Sequence, residues 1–162
     1  DDDDYYYPDS IKTRVEMLVN NKPKGIKCVV CSTIAMFDIN RYISLINVPP
    51  FTHKFEERVS EATLCFYKTF WDNNKFSDTN TCEAKEFLSG KIKEILEISW
   101  ENVIVSLVHK NNTSDRRSPR DQKPNGCHFG FSEKLFDFIT SLDDPDSDGK
   151  KKKPKMLNNL GI

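Results

Sequence analysis

The chain has 162 residues, 37% hydrophobic and 30% charged, with 24 basic and 25 acidic side chains and a net charge of −1. That length holds one domain with tails, because splitting it in two would leave neither half a sizeable core. No apolar run approaches the roughly 20 residues of a membrane span, which excludes an integral helical membrane protein.

In chain order, "DDDDYYYPDS" opens residues 1–25, read as an acidic tail carrying one short helix within "IKTRVEMLVNNKPKG" that Pro23 and Gly25 stop. "IKCVVCSTI" is β-branched and reads as a strand, and "RYISLINV" as a second, closed by Pro49 and Pro50. From a Thr52 N-cap, Phe55, Val59, Ala62, Phe66 and Phe70 follow at steps of four, three, four and four, so a first helix is predicted to Phe70. "WDNNKFSDTNT" is a loop. A second amphipathic helix then carries Ala84, Leu88, Ile92 and Leu96 every fourth residue.

At Trp100 the pattern changes to "WENVIVSLV", apolar on both alternating faces like a strand buried from two sides, with Trp100 at its first position covering the helix end. Residues 110–125 are polar and proline-bearing and include "RRSPR". In "CHFGFSEKLFDFITSL", Phe129 and Phe131 alternate as in a strand, whereas Leu135, Phe138, Ile139 and Leu142 fit a helical face. Residues 143–162 form a charged tail in which four acids precede five lysines between Lys150 and Lys155, a solvated end or a patch for an acidic or nuclear partner. The expected organisation is therefore a single α+β domain over 26–142 between disordered tails.

Five scattered cysteines suit a reducing compartment better than a disulfide framework. Cys28 and Cys31 have the spacing of a redox or half-zinc pair, but three apart in a strand they face opposite sides, and only Cys127 and His128 could complete a site. His53, His109 and His128 have no nucleophile motif beside them, and there is no phosphate loop or zinc-protease signature. No metal, no cofactor and no catalytic centre are expected.

Two helices followed by Trp100 and a strand make an order that resembles the smallest class of dynein light chain. "ISLIN" at 43–47 is similar to that family's first strand, "VSEAT" at 59–63 to its first helix, and Ala84, Leu88, Ile92 and Leu96 before Trp100 to its second. "HFGFSE" at 128–133 resembles the strand that the family exchanges on dimerising. The resemblance implies two helices packed on a mostly antiparallel sheet. It further implies a homodimer and a non-catalytic adaptor in the cytoplasm, cytoskeleton or cilium. A partner protein segment would add as a β-strand, with Phe129, Gly130, Phe131 and Ser132 lining the dimer edge and groove and with a dynein or axonemal complex as the larger assembly. It implies no small-molecule substrate. Two other readings stand beside it: an unrelated binding module that uses the basic tail and "RRSPR", and a secreted disulfide-containing protein, which the absence of an initial methionine would accommodate.

Overall fold

A computed structural model describes residues 4–109 other than Asn40, Asn73, Asn74, Ser77, Thr79, Asn80 and Thr81. The chain divides into two units, Asp1–Phe129 and Gly130–Ile162, and every described residue belongs to the first. The loop at 110–125, the 127–142 segment and the tail 143–162 lie outside the described residues.

Helices and strands are both present, in the order β1 (Tyr5–Tyr6), α1 (Ser10–Asn20), β2 (Cys28–Val30), β3 (Ile34–Asp38), β4 (Ile43–Asn47), α2 (Phe55–Arg58), β5 (Cys65–Phe66), α3 (Lys68–Asp72), α4 (Ala84–Leu88), β6 (Ile95–Glu97) and β7 (Ile104–Val108). They make two mixed sheets, one ordered β1-β7-β3-β4 and the other β5-β2-β6. The β3/β7 and β2/β6 pairs are parallel, and β1/β7, β3/β4 and β2/β5 are antiparallel. The expected α+β content is present. Its finer form, two helices on one mostly antiparallel sheet, is replaced by four short helices and two sheets among the described residues.

Every residue of β3 and of β7 is buried, which explains why "IVSLV" is apolar on both faces: a parallel pair at the centre of a sheet has no solvent side. The strand does not begin at Trp100, however. Trp100 is half-buried in a turn whose C=O accepts the Val103 N–H at 3.0 Å, with Asn102 in the left-handed region at φ 59°. Ile98 and Val103, on either side of Trp100 in sequence, are the buried members of the aliphatic core here.

The first predicted helix, 52–70, is broken into α2, a 3-10 turn at Glu61–Thr63, β5 and α3. Its start also moves. The turn closed by the His53 N–H on Pro50 C=O places the N-cap at Lys54 instead of Thr52. Backbone ladders drive the break, since the Ser60 N–H donates to Cys31 C=O at 2.9 Å and Cys65–Phe66 pairs with β2. The second, 82–97, stops at Leu88 because Gly90 adopts φ 74°, and its last third becomes β6 alongside β2. Serine followed by glycine is a turn signal that the helical spacing outweighed in the reading above.

The N-terminal segment read as a tail is built into the fold, with Tyr5 opposite Val105 and Tyr6 opposite Ile104. The Asp4 carboxylate accepts the Leu107 N–H at 2.9 Å and the Ser106 hydroxyl at 3.0 Å. The short helix expected there is α1, which packs on β2 and β5 and buries Leu18.

Two clusters form the core. One is aliphatic, gathering Leu18, Val29, Met36, Leu45, Ile104 and their neighbours, and the other contains Val30, Val59, Leu88 and Ile95 with Phe66, Phe70, Trp71, Phe76 and Phe87.

Candidate interaction surface

Where β4 ends, Pro49 and Pro50 deny the ladder two donors and turn the chain outward. Val48 and Phe51 are left exposed on either side of them, Phe51 at 81%. The chain returns through α2, whose first turn is closed by the Glu57 carboxylate accepting the Lys54 N–H at 3.1 Å. Glu57 also meets Lys85 of α4 at 2.8 Å, and the Lys85 ammonium and the Lys54 N–H hold its carboxyl below the usual carboxylate range.

Arg58 ends this helix, its guanidinium 4.9 Å from the Phe51 ring and 5.6 Å from the Phe55 ring. Its Nε is buried and has no hydrogen-bond partner among the described residues. Arg58 makes no ion pair among the described residues. The side chain lines a small open cleft of about 50 Å³ together with Ser32, Ile34, Asn47, Pro49, Val59, Ser60 and Glu61.

The floor of the cleft is fixed by the turn between β2 and β3. The Cys31 N–H donates to Thr63 Oγ1 at 2.9 Å, and the Thr63 hydroxyl donates to Ser60 C=O at 2.7 Å. The Ser32 hydroxyl donates to the Glu97 carboxylate. The chemistry of the cleft is therefore a guanidinium beside two aromatic rings, with polar neighbours and two carboxylates nearby. A guanidinium offers only donors, so it takes a carbonyl, carboxylate or phosphate oxygen. Glu61 and Glu97 weigh against a doubly charged phosphate.

Sequence reasoning missed this site. The helix read over 52–70 gave Arg58 no role, and the cluster arises only because the proline turn brings Phe51 beside the end of α2.

The residues that the sequence proposed behave differently. Phe129, Gly130, Phe131 and Ser132, like Cys127 and His128, lie outside the described residues. Cys28 and Cys31 carry free thiols that enter different core clusters on opposite faces of β2, so they cannot chelate one ion together. Burial pushes the Cys28 thiol up to about 12 and the Cys31 thiol up to about 11, the opposite of an activated nucleophile. Cys65 and Cys82 are also free. Among the described residues no group of three potential ligands converges, and no helix is long and apolar enough to cross a membrane.

Compared with known proteins, the chain matches no family model, no curated protein and no solved structure. What the described fold defines is a mixed α/β domain with an arginine-centred surface cleft.

Proposed function

We propose that this protein is a non-catalytic interaction module that binds an extended segment of a partner protein, with Arg58 as the anchor. The observation that carries this reading is the unpaired Arg58 guanidinium beside an exposed Phe51, since arginine and aromatic residues dominate the energy of protein interfaces. The matching chemistry in the partner is a main-chain carbonyl or a single carboxylate next to an apolar side chain. No cofactor or small-molecule substrate enters this role.

A narrower form makes the module a dynein light chain-like adaptor of microtubule or axonemal machinery, in the cytoplasm, cytoskeleton or cilium. In that form it is a homodimer through Phe129, Gly130, Phe131 and Ser132. Its support is the strand at Ile43–Asn47, the place where the resemblance puts the family's first strand. The break-up of both predicted helices weighs against it. The alternative of an acidic or nuclear partner for Lys150–Lys155 rests on charge alone.

The test is a displayed-peptide selection against the full chain, followed by titration of the enriched peptides. Arg58→Ala and Phe51→Ala should each weaken binding about tenfold or more, as interface anchors do, with unchanged circular dichroism. Peptides that bind both variants as tightly as the wild type would remove Arg58 from the site. Co-sedimentation with a dynein complex then separates the narrower form from the general one.

A further inference from the structure

Helix α1 is mounted the unusual way round. Its inward residues are Ser10, Arg14 and Leu18, with Arg14 only 9% exposed and its Nε–H donating to Ser10 C=O at 3.2 Å. Outward stand Ile11, Val15 and Val19, exposed by 71%, 42% and 51%. Steps of four align these three along one stripe of the surface. An aliphatic stripe on a helix already anchored by its other face is an unfilled contact.

Beside the stripe stand Lys12 and Glu16, both exposed. Neither makes an ion pair among the described residues, as expected for lysine preceding glutamate by four, the weaker of the two orders on a helix. These features select the occupant. A membrane surface would call for a polar flank rich in lysine and arginine, and here it carries one charge of each sign. A reversed copy of α1 fits instead. With a two-fold axis at Val15, Ile11 meets Val19 of the second copy, Val15 meets Val15, and Lys12 comes within reach of Glu16 on both sides of the axis. In a parallel pair the Lys12 and Glu16 flanks of the two copies fall on opposite sides of the axis and do not meet.

We propose that α1 is a self-association surface on which two copies of this chain pack their first helices antiparallel through Ile11, Val15 and Val19, with Lys12 and Glu16 setting the direction. This contact is independent of the Arg58 cleft and separate from the 129–132 edge that the light-chain reading requires. Three side chains from each copy cover far less than the ~800 Å² per partner of a standard interface, so the dissociation constant should be on the order of 100 µM.

Sedimentation equilibrium of the full chain from about 10 µM to about 1 mM at low salt reads it directly. A concentration-dependent dimer is expected, and Val15→Asp, which places two carboxylates at the axis, should abolish it without loss of helix signal. Lys12→Glu should weaken it about two- to tenfold, and the double change K12E/E16K should restore it, since that exchange preserves each cross-axis pair. Gly130→Val should leave this association unchanged. A monomer at 1 mM, or a dimer indifferent to Val15→Asp, overturns the proposal. Failure of K12E/E16K to recover what Lys12→Glu loses overturns the antiparallel arrangement.

Discussion

The two halves of the core are built on opposite principles. Around Met36, Leu45 and Ile104 the packing is strand on strand, aliphatic, and tied to ladders of five residue pairs between β3 and β4 and four between β3 and β7. Around Phe87 it is aromatic, and the backbone there comes in short pieces: helices of four or five residues, a two-residue strand and a 3-10 turn. Helices that short do not hold in isolation, so the rings hold the backbone in this half, whereas in the other half the ladders do. The β5-β2-β6 sheet lies between them, with Val29, Cys65 and Leu96 facing the aliphatic cluster and Cys28, Val30, Phe66 and Ile95 the aromatic one.

The largest effect should come from the centre of the aromatic half. The Phe87 ring lies 4.3 Å from Phe76, 5.0 Å from Phe66, 5.2 Å from Phe70 and 5.9 Å from Trp71. Phe87→Ala should cost about 3–5 kcal/mol in chemical denaturation. Hydrogen exchange should show the α2, α3 and α4 amides losing protection while those of β3 and β7 keep theirs. Equal loss in both halves would erase the distinction.

Thr63→Val tests the seam between them. Thr63 is fully buried, and the change leaves the Cys31 N–H without its acceptor, which should cost about 1–3 kcal/mol. A denaturation midpoint like that of the wild type would show that the seam is held elsewhere.

Gly90→Ala is a smaller and more local probe. No atom lies within 4 Å of the position a Cβ would take, so the cost is that of φ 74° alone, about 1 kcal/mol. An increase in stability would mean that the segment prefers to continue as helix.

The mildest perturbation is alkaline pH. The Cys28 and Cys31 thiols ionise at about 12 and about 11 in the folded chain, while an unfolded cysteine ionises near about 8.5. The fold binds more protons there than the unfolded chain, so this stability is fully present below about pH 8.5 and declines as pH rises towards the folded values. Thiol labelling at pH 8 should reach Cys28 and Cys31 only after unfolding, and rapid labelling would contradict their burial.

The aliphatic half was legible in the sequence because its signals are local. "CVVC", "ISLIN" and "IVSLV" are β-branched runs of strand length, and proline or turn residues bound "ISLIN" and "IVSLV". Opposite facing of Cys28 and Cys31 follows from the two-residue period of a strand alone. The strand at Ile34–Asp38 was missed, since "IAMFD" continues the preceding apolar run and nothing in the sequence marks the bend at Cys31–Thr33.

The aromatic half misled for a definite reason. Apolar residues spaced by three and four satisfy a helix, but they equally satisfy a chain that touches a core repeatedly through turns, as Phe55, Val59, Phe66 and Phe70 do with the aromatic cluster while Ala62 packs on the aliphatic one. Composition and local pattern determined that the chain has a core, that it mixes helix with strand, and that the strand at Ile104–Val108 is buried on both faces. Tertiary structure decided where the first predicted helix breaks, because the Ser60 N–H bond to Cys31 and the pairing of Cys65–Phe66 with β2 outweigh local helical preference, whereas the second breaks at Gly90. It also decided that Arg58 sits between two phenylalanines and that the aliphatic face of α1 points to solvent.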